Sequence, residues 1–184
     1  MDEFFRIKTD TIYILTHAET VDGLLTKAGV TAAEALIKQL EPYGIDGLFS
    51  APSAAAQATI EPFALSKALR VVTLPDLRDH RLSLQGTRVA DPFLETRFSA
   101  RSKARPGGET FDAASNRFRQ ALLAVSRRPV VAPAVVTHPG LLAALISQRD
   151  KSFGYAEYLA MPTPGIWKLT HRHGTPTAIE ALRI

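Results

Sequence analysis

The spacing of hydrophobic and polar positions changes several times along the chain, and each change marks an element. Thr11 to Thr16 (T-I-Y-I-L-T) is rich in β-branched and aromatic residues without strict alternation, the pattern of a strand buried on both faces. His17 follows at its end. From Thr31 to Tyr43 the period becomes helical, with Ala33, Leu36, Ile37 and Leu40 on one face, and Thr31 with Glu34 has the spacing of a capping box. Asp46 to Ser50 predicts a second short strand. Ala51-Pro52 then places proline in the first turn of a helix continued by Ser53 to Thr59, with Pro62 expected to kink or end it.

Arg70 to Leu74 (R-V-V-T-L) predicts a third strand. Between Pro75 and Glu109 no period is sustained, and Gly, Pro, Asp, Ser and arginines predict a long loop or a helical insert. Thr110 then caps a helix in which Ala114, Phe118, Ala121, Leu122 and Val125 share a face. Ala134 to Thr137 repeats the buried-strand pattern and ends at His138, and Pro139-Gly140 turns into a helix through Leu141, Leu142, Leu145 and Ile146. Ile166 to Thr170 and Ala178 to Leu182 predict a terminal strand pair around a turn at Gly174-Thr175-Pro176.

This alternation predicts an α/β fold: a three-layer, doubly wound, mostly parallel sheet with helices on both faces. One domain over residues 1–184 is expected, with the insert at about 75–109. In such folds ligands sit outside the carboxyl ends of the strands, where helix N-termini favour anions. Thr16-His17, Ser50-Ala51 and Thr137-His138 all fall at such ends.

Composition narrows the chemistry. The 184 residues are 46% hydrophobic and 22% charged, with a net charge of +4, which fits an ordinary globular protein. Its basic residues are interleaved with acids rather than gathered in one run, so nucleic acid is not the expected partner. With no cysteine, disulfides, thiolate metal sites and a cysteine nucleophile are excluded, and any metal would need His and carboxylates. No apolar run approaches the ~20 residues that span a bilayer, and the acidic start Met1-Asp2-Glu3 does not resemble a secretory signal; a cytoplasmic protein away from membranes is expected. The oligomeric state is not legible.

Two histidines at separate strand ends can form a paired site, one attacking a substrate and the other bonding the same oxyanion. Strand-end histidines also serve as capping or packing residues, and spacing alone leaves both readings open. His171 and His173 would share a strand face but have no third metal ligand near them, so no metal is expected. No dinucleotide, Walker or serine-hydrolase motif is present, and no cofactor is expected.

The segment Ile12-Tyr13-Ile14-Leu15-Thr16-His17-Ala18-Glu19-Thr20 resembles the first-strand signature of the histidine phosphatase superfamily, the phosphoglycerate mutase-like proteins. Further resemblances follow in order: Leu25-Thr26-Lys27-Ala28-Gly29, then Phe49-Ser50-Ala51-Pro52 with Ala56 and Thr59, then Leu77-Arg78-Asp79. They continue with Pro106-Gly107-Gly108-Glu109-Thr110 and Val135-Val136-Thr137-His138-Pro139-Gly140. The resemblance implies a phosphoglycerate mutase-like fold in which His17 is the phosphorylated nucleophile, His138 the second histidine, and Asp79 the proton donor, shorter by one methylene than the family's glutamate. Arg172-His173-Gly174 spells the family tripeptide too, but at the expected terminal turn, where no helix follows.

The family holds the phosphoryl group with two arginines, and their positions here carry Thr16 and Ala55. Arginine offers two parallel charge-assisted hydrogen bonds; Thr16 offers one neutral donor and alanine none. Ser53, near the second position, could donate another. Arg78 and Arg81 flank Asp79 and could supply charge, as could Arg88, Arg97, Arg101 and Arg105 in the insert. The expectation is therefore a degenerate member with weak or absent phosphomonoesterase activity, whose ligand is a phosphorylated small molecule or a phosphate ion. The alternatives are an active phosphatase that uses loop arginines on an unusual substrate, and a noncatalytic partner-binding protein. A mutase is less expected, since phosphoglycerate mutases of the family generally carry longer insertions.

Overall fold

In chain order the elements are β1 (Thr11–Thr16), a hairpin of β2 (Thr20–Val21) and β3 (Leu24–Leu25), α1 (Lys27–Leu40), β4 (Gly47–Ser50), α2 (Ala54–Ser66), β5 (Val71–Thr73), α3 (Phe93–Ser99), α4 (Phe111–Ser126), β6 (Pro133–Thr137), α5 (Pro139–Arg149), α6 (Tyr155–Leu159), β7 (Ile166–Arg172) and β8 (Thr175–Leu182). The computed structural model describes residues 8–82, 92–172 and 175–182. The N-terminal residues Met1 to Arg6, Arg88, His173 and Gly174 lie outside the described residues.

Six strands form one sheet in the order β5-β4-β6-β1-β7-β8. The first four are parallel to one another, and β7 and β8 add an antiparallel pair beside β1. This is the mostly parallel α/β sheet that the alternation of elements implies. Right-handed crossovers then set the layers. The chain moves one way across the sheet through α1 and α2 and returns through α4, so α1 packs on α2 and α4 on α5, on opposite faces.

β6 is buried along its whole length, and β1 along most of its own, because both faces are covered. α5 buries Leu141 through Leu145 without interruption, as expected of a helix enclosed on nearly all sides.

Several local expectations are corrected. α1 begins at Lys27, a turn before Thr31, and its cap is Thr26, whose Oγ1 accepts from the Gly29 amide at 3.0 Å. Thr31 lies inside the helix and donates back to the Lys27 carbonyl at 3.2 Å. Gly29 can occupy the first turn because the chain passes the Glu19 carbonyl so closely that a Cβ would collide with it. The β2–β3 hairpin turns on Asp22 and Gly23 with φ of 50° and 79°, a primed turn that Asp-Gly favours; the alternation there is too short to announce it.

Pro52 precedes α2 rather than entering it; the cap is Ser53, whose Oγ accepts from Ala56 N at 3.3 Å. Pro62 does not end α2, which continues to Ser66. Burial of Thr59, Ile60, Phe63 and Ala64 holds the turns on either side of the proline, so packing outweighs one missing hydrogen bond. β8 starts at Thr175, inside the expected turn, and tolerates Pro176 because it is an edge strand with a register shift opposite Thr170 and His171. The insert contains a 3-10 turn at Pro75–Leu77 and the short α3.

Candidate active site

β1, β4 and β6 end side by side because their registers align Thr16 with Thr137 and Ser50 with Val136. The next residues are therefore delivered to one place. The His17 amide donates to the Thr137 carbonyl at 3.0 Å and the Ala51 amide to Val136 at 2.9 Å, which ties the three strand exits together. The rings of His17 and His138 meet edge to face with centroids 5.0 Å apart. Neither the spacing of 121 residues between them nor their composition required this; the parallel pairing of β1 with β6 does.

The His17 ring is held by a backbone contact. Its Nδ1 lies 2.8 Å from the Ala18 carbonyl oxygen. A carbonyl can only accept, so Nδ1 carries the ring proton and Nε2 of the neutral ring keeps its lone pair. The Ala18 turn is fixed by Thr59: its Oγ1 accepts from Ala18 N at 2.9 Å and donates to the Ala55 carbonyl at 2.7 Å.

His138 caps α5 with its backbone and makes no side-chain cap bond, which leaves the ring free. Its Nε2 is 3.1 Å from Ser53 Oγ and its Nδ1 is 3.9 Å from Asp79 Oδ2. Burial pushes its pKa below the usual histidine range; Asp79 opposes this, while His17 and Arg117 add to it. The neutral ring can accept the Ser53 hydroxyl proton at Nε2, with its own N–H then turned towards Asp79. The N-termini of α2 and α5 converge here, each with amide donors for an anion.

Asp79 is half exposed and is held from two sides. Thr137 Oγ1 donates to the Leu77 carbonyl at 2.8 Å. Arg117, on α4, reaches the other side of the strap: Nη1 donates to the Asp76 and Arg78 carbonyls at 2.6 and 3.0 Å, and Nη2 to Asp79 at 3.3 Å. Its Nε and Nη2 also form a two-pronged bridge to Glu109 at 2.9 and 2.7 Å. All five guanidinium N–H groups are thereby engaged. Burial pushes the Glu109 carboxyl up, but the Arg117 hydrogen bond and the charges of Arg117 and Arg78 more than offset it and hold the pKa below the usual range. Gly140 completes the setting, since a Cβ there would stand 2.8 Å from Asp79 Oδ1. Only a residue without a side chain lets the carboxylate rest over the first turn of α5.

The structure thus brings His17, His138, Ser53 and Asp79 together. It does not bring Thr16 in as a free donor: the residue is fully buried, and Oγ1 donates to the Pro162 carbonyl at 3.1 Å and accepts from Gly165 N at 2.9 Å. Ala55 is buried in the first turn of α2. Arg78 lies near Asp76 and Glu109, at 3.7 and 3.9 Å, and Arg81 is exposed, its carbonyl accepting from Glu109 N. Arg101 is bonded to Asp112, Ser147 and Ala144, and Arg105 stacks on Phe93. His171 is buried away from the site, and among the described residues no cluster of three His, Asp or Glu side chains suits a metal. Also among them, no helix is long and apolar enough to cross a membrane.

Sequence reasoning missed Arg117. Its signal was its place two turns into the helix that Thr110 caps, where a side chain reaches back to Glu109, but only the fold puts the Asp76–Asp79 strap within its reach.

Residues 13–181 match the profile of the histidine phosphatase superfamily (branch 1). Among solved structures, the chain resembles phosphoserine phosphatase from Entamoeba histolytica, solved as a mutant with phosphoserine, at 17% identity, covering 94% of this chain and 96% of that one with a TM-score of 0.70. It resembles a mycobacterial glucosyl-3-phosphoglycerate phosphatase, solved with inorganic phosphate, at 20% identity over 95% and 96% of the two chains, TM-score 0.71. A putative alpha-ribazole-5'-P phosphatase from Escherichia coli shares 21% identity over 96% and 97%, TM-score 0.69. No curated protein sequence matches the chain.

Proposed function

The chain belongs to the histidine phosphatase superfamily, and from that premise we propose that it is a degenerate phosphomonoesterase, slow on simple phosphate esters. The observation that carries the mechanism is the Nδ1 bond of His17 to the Ala18 carbonyl, which leaves Nε2 as the nucleophilic nitrogen beside His138. Nε2 donates its lone pair to phosphorus; the bond from phosphorus to the ester oxygen breaks, and that oxygen takes a proton from the Asp79 carboxyl. Water then attacks the phosphohistidine while Asp79 recovers a proton from it, the P–N bond breaks, and phosphate leaves with Nε2 restored. The amides of α2 and α5 receive the phosphoryl oxygens, and the Ser53 hydroxyl joins them by giving up its bond to His138 Nε2.

Slowness follows from the donors. Thr16 spends its hydroxyl on Pro162 and Gly165, Ala55 has nothing to donate, and Arg117 has no N–H left. Losing one preorganised donor costs about 10²- to 10³-fold in rate, and effects within one site are not simply additive. The similar phosphatases solved with phosphoserine or inorganic phosphate support a small phosphorylated ligand. We propose neither a metal nor a cofactor, since none of these steps requires one.

The test is phosphate release from p-nitrophenyl phosphate and a panel of sugar and hydroxy-acid phosphates. The expected result is a kcat/KM far below ~10⁴ M⁻¹s⁻¹, the low end for efficient enzymes, lost in His17→Ala, with an acid-labile phosphoenzyme trapped in the wild type. Efficient turnover dependent on His17 would overturn the degenerate reading. Turnover indifferent to His17 would overturn the mechanism.

A further inference from the structure

Ser53 Oγ lies 3.1 Å from His138 Nε2, and His138 Nδ1 lies 3.9 Å from Asp79 Oδ2, so a hydroxyl, an imidazole and a carboxylate follow one another in that order. A neutral ring that accepts at Nε2 and turns its N–H to Asp79 has the tautomer a general base needs. Burial holds the His138 pKa below the usual histidine range, so the ring is unprotonated near neutral pH. At 3.9 Å Asp79 is beyond hydrogen-bond reach but within that of an ion pair. Its charge favours the imidazolium that forms when the ring takes a proton.

The backbone around Ser53 suits a nucleophile as well. The residue sits in a strand-to-helix turn, just beyond β4 and at the N-terminus of α2. It is half-buried between exposed Pro52 and Ala54, and so is open to a substrate. Its Oγ accepts from the Ala56 amide at 3.3 Å, a bond that strengthens as the oxygen loses its proton. The amides of Ala54 and Ala55, the first two of the helix, have no intrahelical carbonyl to bond and are donors for an oxyanion beside Ser53. Such a site is recognised by geometry and roles rather than by a local motif, and its members here come from three separate segments of the chain.

The charge of the site favours the same chemistry. Thr16 and Ala55 bring no cation, and Arg101 and Arg117 are bonded to protein acceptors. Arg97 is 2% exposed among Phe98, Phe111 and Tyr158, with Nε and Nη2 sealed off without a partner. A carboxylic ester is uncharged until its carbonyl oxygen takes up charge in the transition state, and backbone amides suffice to receive it.

We propose that Ser53, His138 and Asp79 form a serine-hydrolase triad that cleaves uncharged carboxylic esters by way of an acyl-Ser53 intermediate. This chemistry is independent of the phosphohistidine route above, since its nucleophile is Ser53 and not His17. Ser53 Oγ attacks the carbonyl carbon while His138 Nε2 takes its proton, and the carbonyl oxygen becomes an oxyanion held by the α2 amides. The bond from carbon to the alcohol oxygen breaks, and the alcohol leaves with the proton from Nε2. Water then attacks the acyl carbon and gives a proton to Nε2; the bond to Oγ breaks, Oγ recovers that proton, and a carboxylic acid leaves. Ser53 and His138 are the catalytic residues, and Asp79 positions the ring.

The experiment follows hydrolysis of p-nitrophenyl acetate and butyrate by the full chain, with the acyl-enzyme trapped in acid and located by peptide mass spectrometry. The acyl group is expected on Ser53. Ser53→Gly, which retains a competent helix cap, and His138→Gln should each lower kcat/KM by about 10²-fold or more, and the double variant no further. Asp79→Asn should move the ascending limb of kcat/KM to lower pH, because the Asp79 charge raises the His138 pKa; a merely structural carboxylate would leave the limb in place.

Hydrolysis of both esters no faster than in buffer overturns the proposal, as does an acyl group on His17 or elsewhere, or turnover that survives in Ser53→Gly. If Ser53→Gly fails to melt cooperatively, the position of the acyl group in the wild type decides alone. A phosphoenzyme on His17 without acylation of Ser53 overturns the triad and leaves the phosphatase reading standing; acylation of Ser53 without a phosphoenzyme does the reverse.

Discussion

Replacing Arg117 by methionine tests the central positioning device without presupposing any substrate. The guanidinium makes five hydrogen bonds, to both Glu109 oxygens and to the carbonyls of Asp76, Arg78 and Asp79. Its side chain and that of Glu109 are 11% and 12% exposed, so solvent screens the bridge little. Breaking a buried pair by removing one partner costs about 3–5 kcal/mol, because the other charge is stranded. The three carbonyls sit on a more exposed strap that water can reach, so they add little to that figure. We expect Arg117→Met to lose ~3–5 kcal/mol, a large share of the ~5–15 kcal/mol typical of a domain. At ~2–4 °C per kcal/mol for a chain of this size, the melting temperature should fall by roughly 10 °C. Urea denaturation followed by Trp167 fluorescence and by circular dichroism measures the loss, and a double-mutant cycle with Glu109→Gln measures the coupling, expected at ~1.5–3 kcal/mol. A loss under ~1 kcal/mol, or a coupling near zero, would refute the view that Arg117 and Glu109 hold the Asp79 strap.

Gly140→Ala should leave stability unchanged or slightly raised, since alanine favours helix by up to ~1 kcal/mol over glycine. The new Cβ displaces Asp79, so phosphoenzyme formation should slow; an unaltered rate would remove Asp79 from the mechanism. Thr16→Val strands the Pro162 carbonyl and the Gly165 amide and should cost ~1–3 kcal/mol in urea melts; a neutral result would mean that the hydroxyl is available to a ligand. His80, His138 and His171 have pKa values lowered chiefly by burial, so the unfolded chain binds more protons between the folded values and ~6.5. Stability should therefore fall as pH drops below ~6.5, whereas the contribution of Glu109, present above ~4.3, is lost only at lower pH as its depressed folded pKa is crossed. A stability profile flat from pH 7.5 to 5 would contradict the burial of the three rings.

The order of elements, both strand-end histidines and the cap Thr110 follow from the chain read in one dimension. Each depends on a short window: β-branched runs make strands, a hydroxyl three residues before an amide makes a cap, and the chemistry of His17 and His138 is that of their side chains. The superfamily was legible as well, because its motifs are local and keep their order. What stayed hidden depends on contacts remote in sequence. α1 starts a turn early because Gly29 can pass the Glu19 carbonyl, and α2 runs through Pro62 because its next turn is buried.

Which arginines are spent and which are left is likewise a tertiary fact. Sequence alone favoured Arg78 and Arg81, which flank Asp79, over Arg97, Arg101 and Arg105, and made Thr16 a candidate donor. The fold gives the Thr16 hydroxyl to Pro162 and Gly165, commits Arg101 and Arg117 to protein acceptors, and leaves buried N–H groups of Arg97 without one beside the site. A side chain's type sets which bonds it can make; only packing decides whether those bonds are already made within the protein or remain for a ligand.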